Sequence, residues 1–330
     1  MTAASTRNNL IGIGALCLGS LIFSLQDSAI KAISGGNAVT LAIVLRAAVS
    51  IPILMAITSF NGGVKQLVDP QWPRLFLRGV ILLISYTSYF MAFPALPLAQ
   101  AVALYFTAPL FVTLLAVPLL GEKVSWQSWA AVTLGLVGVY VILQPGTALF
   151  NWAALLSLVS GITYALAQVL ARKYGAGSKS SVMAFYQNFT YLILAAALAG
   201  LITAVGLKPP GHPSLDFLFR AWAVPSLHDF GLMAVCGVIA AVGSTFLTHA
   251  YRVGAASVVT PFEYSGMIWA GTFGFLFFGE IPRSTTVIGM AFIAVAGVLG
   301  LLAGRSAKGG VVPSSAPAGQ LASKGKKEII

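Results

Sequence analysis

Among the ionisable side chains that fall inside apolar runs of this 330-residue chain, three stand out: Asp27, Arg46 and Glu263. A charged group at mid-helix in a bilayer costs at least roughly 2.5–3.5 kcal/mol, which makes each a functional candidate by default. At about 1.5 Å of rise per residue, Asp27 lies about 9 Å before the end of its run at Ile33. Arg46 lies about 10 Å into the next run, entered from the same side. Matched depth on two helices joined by a tight turn predicts an Asp27–Arg46 ion pair. Such a pair serves either as a clamp between neighbours or as a ligand for a charged cargo group. Glu263 sits about 13 Å into its run, close to the midplane. Pro261, two residues earlier, lacks a backbone N–H and predicts a kinked or opened turn there. Backbone groups freed by such a turn can bind cargo. A buried carboxyl at that depth is also a candidate proton carrier, unless it is bonded to a neighbouring helix.

Rings cluster near these groups in sequence. Tyr86, Tyr89, Tyr105, Phe106 and Tyr164 fall in spans beside the polar set, as do Tyr186, Phe262, Tyr264 and Trp269. Each offers a flat apolar wall, and the tyrosines and Trp269 add a polar tip. Taken singly, any of them serves equally well as packing or as a lipid-facing ring. Gln26 and Asn188 add uncharged polar groups.

The elements that position these residues follow from composition. The chain is 58% hydrophobic and only 8% charged, with a mean hydropathy of +0.90. A soluble domain carries roughly 25% charged residues, so too few charges are present here to cover a water-facing surface. A span needs about 20 mostly apolar residues. Ten such runs are expected, at residues 10–33, 38–59, 75–94, 98–120, 126–143, 152–172, 181–205, 230–251, 255–278 and 285–303. The first run continues through Asp27 without a small-residue cleavage site and reads as a retained helix rather than a leader. The longest linker, residues 206–229, holds Pro209-Pro210-Gly211 and Trp222 and predicts a short interfacial helix.

Basic residues orient the spans. With the N-terminus in the cytoplasm, fourteen Lys and Arg fall in inside segments and four (Lys31, Lys208, Arg220 and Arg283) in outside ones. That asymmetry predicts an even number of spans with both termini inside. The net charge of +11 does not indicate a nucleic-acid partner, because the basic residues are dispersed in loops and a tail. The tail from 305 reads as a disordered basic linker.

The chain also resembles itself. Ala99 to Phe106 followed by Gly121-Glu122 matches Ser257 to Tyr264 followed by Gly279-Glu280, at one constant offset. Phe23 to Lys31 matches Tyr164 to Arg172. Five helices per copy is an odd number, so the second copy enters from the opposite side and the repeats are inverted. The expected organisation is a cytoplasmic N-terminus over 1–9, one five-helix repeat over 10–146, a second over 147–304, and the tail over 305–330. Inverted repeats suit alternating access, with a cargo site near the midplane between the halves. The repeat mates of Asp27 and Arg46 are Gln168 and Gln187, and the mate of Glu263 is Tyr105.

Phe23-Ser24-Leu25-Gln26-Asp27-Ser28-Ala29-Ile30-Lys31, Leu77-Arg78-Gly79 and the two Gly-Glu closures resemble the drug/metabolite transporter superfamily, EamA type. The likeness covers about residues 10–303. It implies ten helices, a central cavity lined by helices 1, 3, 4, 6, 8 and 9, with helices 5 and 10 to the side, and a small-molecule cargo. The fold class expected is all-α and polytopic. The candidate substrate-binding or coupling residues are Asp27, Arg46, Tyr86, Tyr105, Gln168, Gln187, Glu263, Tyr264 and Trp269.

Other classes find less support. His212, His228 and His249 are not at metal-ligand spacing, and Cys17 and Cys236 lie in apolar runs. No nucleophile elbow and no phosphate-binding loop is present. No catalytic residue, cofactor or metal is therefore expected, and ATP does not drive the protein directly. A channel or a membrane enzyme is the alternative, and the inverted repeat argues against both. The expected reading is a secondary transporter of the inner membrane. It moves an amino-acid-like or drug-like metabolite, most readily outward, or a nucleoside-like one such as S-adenosylmethionine inward or by exchange. Ala131/Gly135 and Ala296/Gly300 have the small-xxx-small spacing that allows close helix approach, either between halves or at a homodimer seam.

Overall fold

The computed structural model describes residues 3–60, 63–122, 124–174, 180–253 and 260–308. The expected start of the ninth span, at 255–259, and the tail beyond 308 lie outside these residues. Lys123 and Lys179, two of the basic residues used for orientation, lie outside them as well.

All regular structure among the described residues is helical. The first half holds α1 (Ala3–Ile33), α2 (Val39–Phe60), α3 (Trp72–Ala92), α4 (Leu98–Tyr105), α5 (Ala108–Leu120) and α6 (Trp126–Leu143). The second holds α7 (Ala153–Tyr174), α8 (Ser180–Val205), the short α9 (Pro213–Phe219), α10 (Leu227–Val253), α11 (Ser265–Phe278) and α12 (Ser284–Lys308). Counting α4 and α5 as one interrupted span, eight helical spans are long and apolar enough to cross a membrane. The other two expected spans correspond to α10, whose described apolar stretch is Leu227–Gly243, and to α11, which is 14 residues long. Helices are the form such runs must take, because a bilayer offers no partner for an open backbone N–H or C=O.

One span is broken, and a 3-10 turn lies at the matching place of the second half. Pro109 removes the N–H that would bond the Tyr105 carbonyl. The helix stops at Tyr105 and restarts at Ala108. Gly161 of α7 faces this break, where a Cβ would sit 3.3 Å from the Tyr105 carbonyl oxygen. In the second half, Thr260–Tyr264 form a 3-10 turn ahead of α11. The opening around Pro261 was expected. The break in 98–120 was not, although Pro109 lies within that run.

Helix packing follows a paired scheme. The largest contacts are α1 with α10, α3 with α7, α2 with α8 and α6 with α12. Smaller ones join α2 to α10, α3 to α8, α1 to α11, α5 to α7 and α4 to α11. Exchanging each helix of one half with its counterpart in the other turns this set into itself. The small residues of α6 and α12 serve this packing. A Cβ on Gly138 would meet the Gly289 carbonyl, Phe292 and Ile293, and one on Gly289 would meet Ile142.

One end of the bundle is tied by polar contacts. Lys31 pairs with Glu280 (Nζ to Oε1 2.5 Å) and donates to the Leu96 carbonyl (2.6 Å). Glu280 Oε2 accepts from the Leu98 N–H (2.8 Å), so it also caps α4. Asn151 donates to the Ala95 carbonyl while its Oδ1 caps the start of α7. In the long linker, Arg220 donates to the Ser34 and Asn37 carbonyls and Trp222 to Thr40 Oγ1. The expected short helix is α9, and it anchors on the α1–α2 turn.

Candidate functional site

A cavity of about 470 Å³ lies between the halves. Its deep end is set by Gln26, Asp27, Tyr89 and Val102, below the Lys31–Glu280 end. It runs between α5, α6 and α12 toward the opposite end, reaching Thr113, Ser128 and Leu301. Helices α6 and α12 line it, and no described residue of α10 does. The resemblance had implied the reverse. The cause is the α6–α12 seam, where Ala131, Ala296, Gly297 and Gly300 are too small to close the wall.

Five of the nine candidate residues meet here: Asp27, Tyr86, Tyr105, Gln168 and Glu263. Asp27 is 8% exposed, and its Oδ2 accepts from the Tyr89 hydroxyl at 2.8 Å. Tyr89 stacks near Tyr105 (centroids 4.7 Å), and Tyr105 meets Tyr164 edge-on (5.5 Å). The carboxylate is therefore enclosed by a chain of rings with hydroxyl tips. Gln168 donates to the Tyr164 hydroxyl at 2.7 Å, one turn away on α7.

The expected Asp27–Arg46 ion pair does not form. Arg46 Nε instead donates to Gln26 Oε1 at 3.1 Å, and the guanidinium lies 5.2 Å from the Tyr86 ring centroid. The two residues do share a depth, but adjacent positions on α1 point about 100° apart, and Gln26 is the one directed at α2. Arg46 lies behind Gln26 and Tyr86 and does not itself line the cavity.

The remaining three candidates also lie off the wall. Gln187 donates to the Tyr191 hydroxyl at 3.2 Å. Tyr264 is buried, packs on Phe106 (5.7 Å) and fills the space above Gly297. Trp269 stacks near Phe273. Of the other rings, Tyr86, Tyr89, Tyr105, Phe106 and Tyr164 line the cavity, whereas Tyr186 bonds the Leu67 carbonyl and Phe262 is exposed. Asn188 bonds the Ala184 carbonyl of its own helix.

Sequence reasoning passed over the serines. Ser85 Oγ donates to the Ser160 carbonyl (2.9 Å), joining α3 to α7 at the cavity wall, and Ser24 reaches the Gly266 carbonyl (3.4 Å). The signal was available, because Ser85 and Tyr89 are four residues apart and share a helix face. Leu77-Arg78-Gly79 also has a structural use: a Cβ on Gly79 would collide with Thr190, so the glycine lets α3 and α8 close up.

Comparison with known proteins agrees with this architecture. A crystal structure superposes with a TM-score of 0.58 over 91% of this chain and 99% of its own, at 18% identity, which speaks to fold alone. The chain is 27% identical to an S-adenosylmethionine uptake transporter of Rickettsia prowazekii (strain Madrid E), over 66% of this chain and 67% of that one. It is 26% identical to the pseudopaline exporter of Pseudomonas aeruginosa, over 86% and 94%. It is 29% identical to a riboflavin transporter of Rhizobium johnstonii, over 67% of each. Residues 10–144, in the first half of the chain, match the EamA-like transporter family, and each of the relatives above is a transporter.

Proposed function

We propose that the cargo of this transporter is a small polar metabolite, amino-acid-like or drug-like, exported across a bacterial inner membrane by alternating access. The observation that carries this reading is the cavity itself. It holds Asp27 and four tyrosines toward the end tied by Lys31 and Glu280, and it extends toward Ser128 at the other. Such a chamber is one state of a two-state cycle.

Two inverted repeats, 10–146 and 147–304, are the organisation that the self-mapping helix contacts support. In that reading the bias of Lys and Arg puts both termini in the cytoplasm. The Ser128 end then faces inward and the Lys31 end outward. Asp27 and the cavity tyrosines act as cargo contacts. Glu263, in the 3-10 turn of the second half, acts in coupling, while Gln187, Tyr264 and Trp269 support the walls. The protein is a carrier rather than an enzyme.

A second reading, uptake or exchange of a nucleoside-like metabolite, rests on a specific feature. Tyr86, Tyr89, Tyr105 and Tyr164 offer ring faces on which a purine can stack. The experiment is counterflow in proteoliposomes with labelled amino acids, S-adenosylmethionine and riboflavin. A carrier saturates and shows counterflow for its cargo. Flux that rises linearly with concentration and shows no counterflow counts against it. The cargo that exchanges decides between the two readings.

A further inference from the structure

Gln26 is 1% exposed and lines the deep end of the cavity beside Asp27. Its Oε1 is taken by Arg46 Nε. Arginine has five donors and no acceptor, so it can only hold the oxygen side of that amide. A primary amide is planar, with oxygen and nitrogen on opposite sides. With the oxygen held by Arg46, the N–H2 group is the part of this wall residue left to meet a cargo. Asp27 spends Oδ2 on the Tyr89 hydroxyl, and a carboxylate has acceptor sites to spare on Oδ1. Two consecutive residues of α1 therefore present a donor and an acceptor at the same tip.

The charges behind them are ordered in the same sense. Arg46 is 3% exposed, its Nη1 is buried with no hydrogen-bond partner, and its guanidinium is in neither ion pair seen among the described residues. A buried cation left unneutralised is costly, and an anion held on the far side of Gln26 would offset part of that cost. Asp27 supplies the opposite charge next door. With Asp27 ionised, the tip is a dipole, positive behind Gln26 and negative at the carboxylate.

We propose that the cargo carries an α-amino-acid head group, its ammonium on Asp27 and its carboxylate on the Gln26 amide. Arg46 is then a positioning residue that acts through Gln26. This deepens the transport reading above and rests on it. The charges match: a zwitterion on an Arg46–Asp27 dipole leaves the buried site with no added net charge. The absence of an Asp27–Arg46 ion pair follows as well, since a direct bridge would cancel the dipole that reads the cargo.

The test is calorimetric titration of the purified full chain with matched probes that differ only in the carboxylate: S-adenosylmethionine against its decarboxylated form, and L-phenylalanine against phenethylamine. The wild type is expected to prefer the carboxylate-bearing member of at least one pair by tenfold or more. Gln26→Glu keeps a partner for Arg46 but turns an acceptor toward the cargo, and should abolish or invert that preference. Arg46→Gln should reduce it to under threefold while affinity for the amine member is unchanged, which also shows that the variant is folded. Equal affinity of the wild type for both members, or no binding of any probe, overturns the assignment. So does an Arg46→Gln variant that weakens both members alike, which is the mark of a purely structural residue. Counterflow on the same preparation is scored separately. A protein that binds with the expected preference yet shows no counterflow refutes the transport reading and leaves the contacts standing.

Discussion

Lys31, at the end of α1, and Glu280, just beyond α11, form an ion pair across the two halves of the chain. Their side chains are 10% and 23% exposed, and the same glutamate caps α4 through the Leu98 N–H. Three elements that border the cavity thus meet at one carboxylate. Gly279 sets this up: it ends α11 in the left-handed conformation (φ 65°), where glycine is at ease. Gly121 ends α5 the same way (φ 68°), which places Glu122 at the equivalent point of the first half.

This latch predicts how that end opens. Glu280→Gln removes the ion pair and weakens the cap on α4. Phe93 is fully buried beneath this end, so a Phe93→Cys reporter should be shielded in the parent protein. Labelling of that reporter by a membrane-impermeant maleimide from the Lys31 side should rise several-fold in Glu280→Gln. Breaking one side of a largely buried pair costs about 3 kcal/mol. Exchanging the two charges, Lys31→Glu with Glu280→Lys, should restore part of the protection. An unchanged labelling rate in Glu280→Gln means that other contacts hold the end shut.

Asp27 is the carboxylate at the cavity tip, and Tyr89 is its hydrogen-bond donor. Asp27→Asn keeps the shape but removes the charge. It is expected to lower counterflow more than tenfold with little loss of folded protein. Tyr89→Phe should produce a smaller loss, since a hydrogen bond to a charged group contributes about 1.5–3 kcal/mol. Normal transport by Asp27→Asn would mark Asp27 as a clamp between helices.

Glu263 lies in the 3-10 turn that interrupts the second half, on the cavity wall. In the role of proton carrier, it makes transport depend on pH. Glu263→Gln should then transport at a rate that no longer varies with pH in proteoliposomes with a clamped gradient. A variant whose pH profile matches the parent's removes Glu263 from coupling.

The α6–α12 seam predicts a contrast between two glycines. A Cβ on Gly138 meets the Gly289 carbonyl and Phe292, whereas one on Gly300 finds only the Ala131 Cβ, at 3.9 Å. Gly138→Ala should destabilise the protein by about 1–3 kcal/mol, as overpacking does. Gly300→Ala should be neutral or gain up to about 1 kcal/mol from helix propensity. Thermal unfolding in detergent measures both. Equal effects would mean that the seam is looser than its spacing.

Much of this molecule was legible without coordinates. Apolar runs of span length admit only helices in a bilayer, so the fold class followed from composition and period. Repeated Gly-Glu closures, each at a constant distance from its matched segment, pointed to two related halves. Charges inside spans are costly, and Asp27, Glu263 and Arg46 stood out for that reason. What tertiary packing alone decided was the partner of each. Depth along a helix can be counted, but rotation about its axis, set by the neighbours that a helix meets, cannot. A turn of about 100° is what gave Arg46 to Gln26 rather than to Asp27. The same freedom sent Tyr89 to Asp27, drew α6 and α12 into the cavity wall, and left Gln187, Tyr264 and Trp269 behind it.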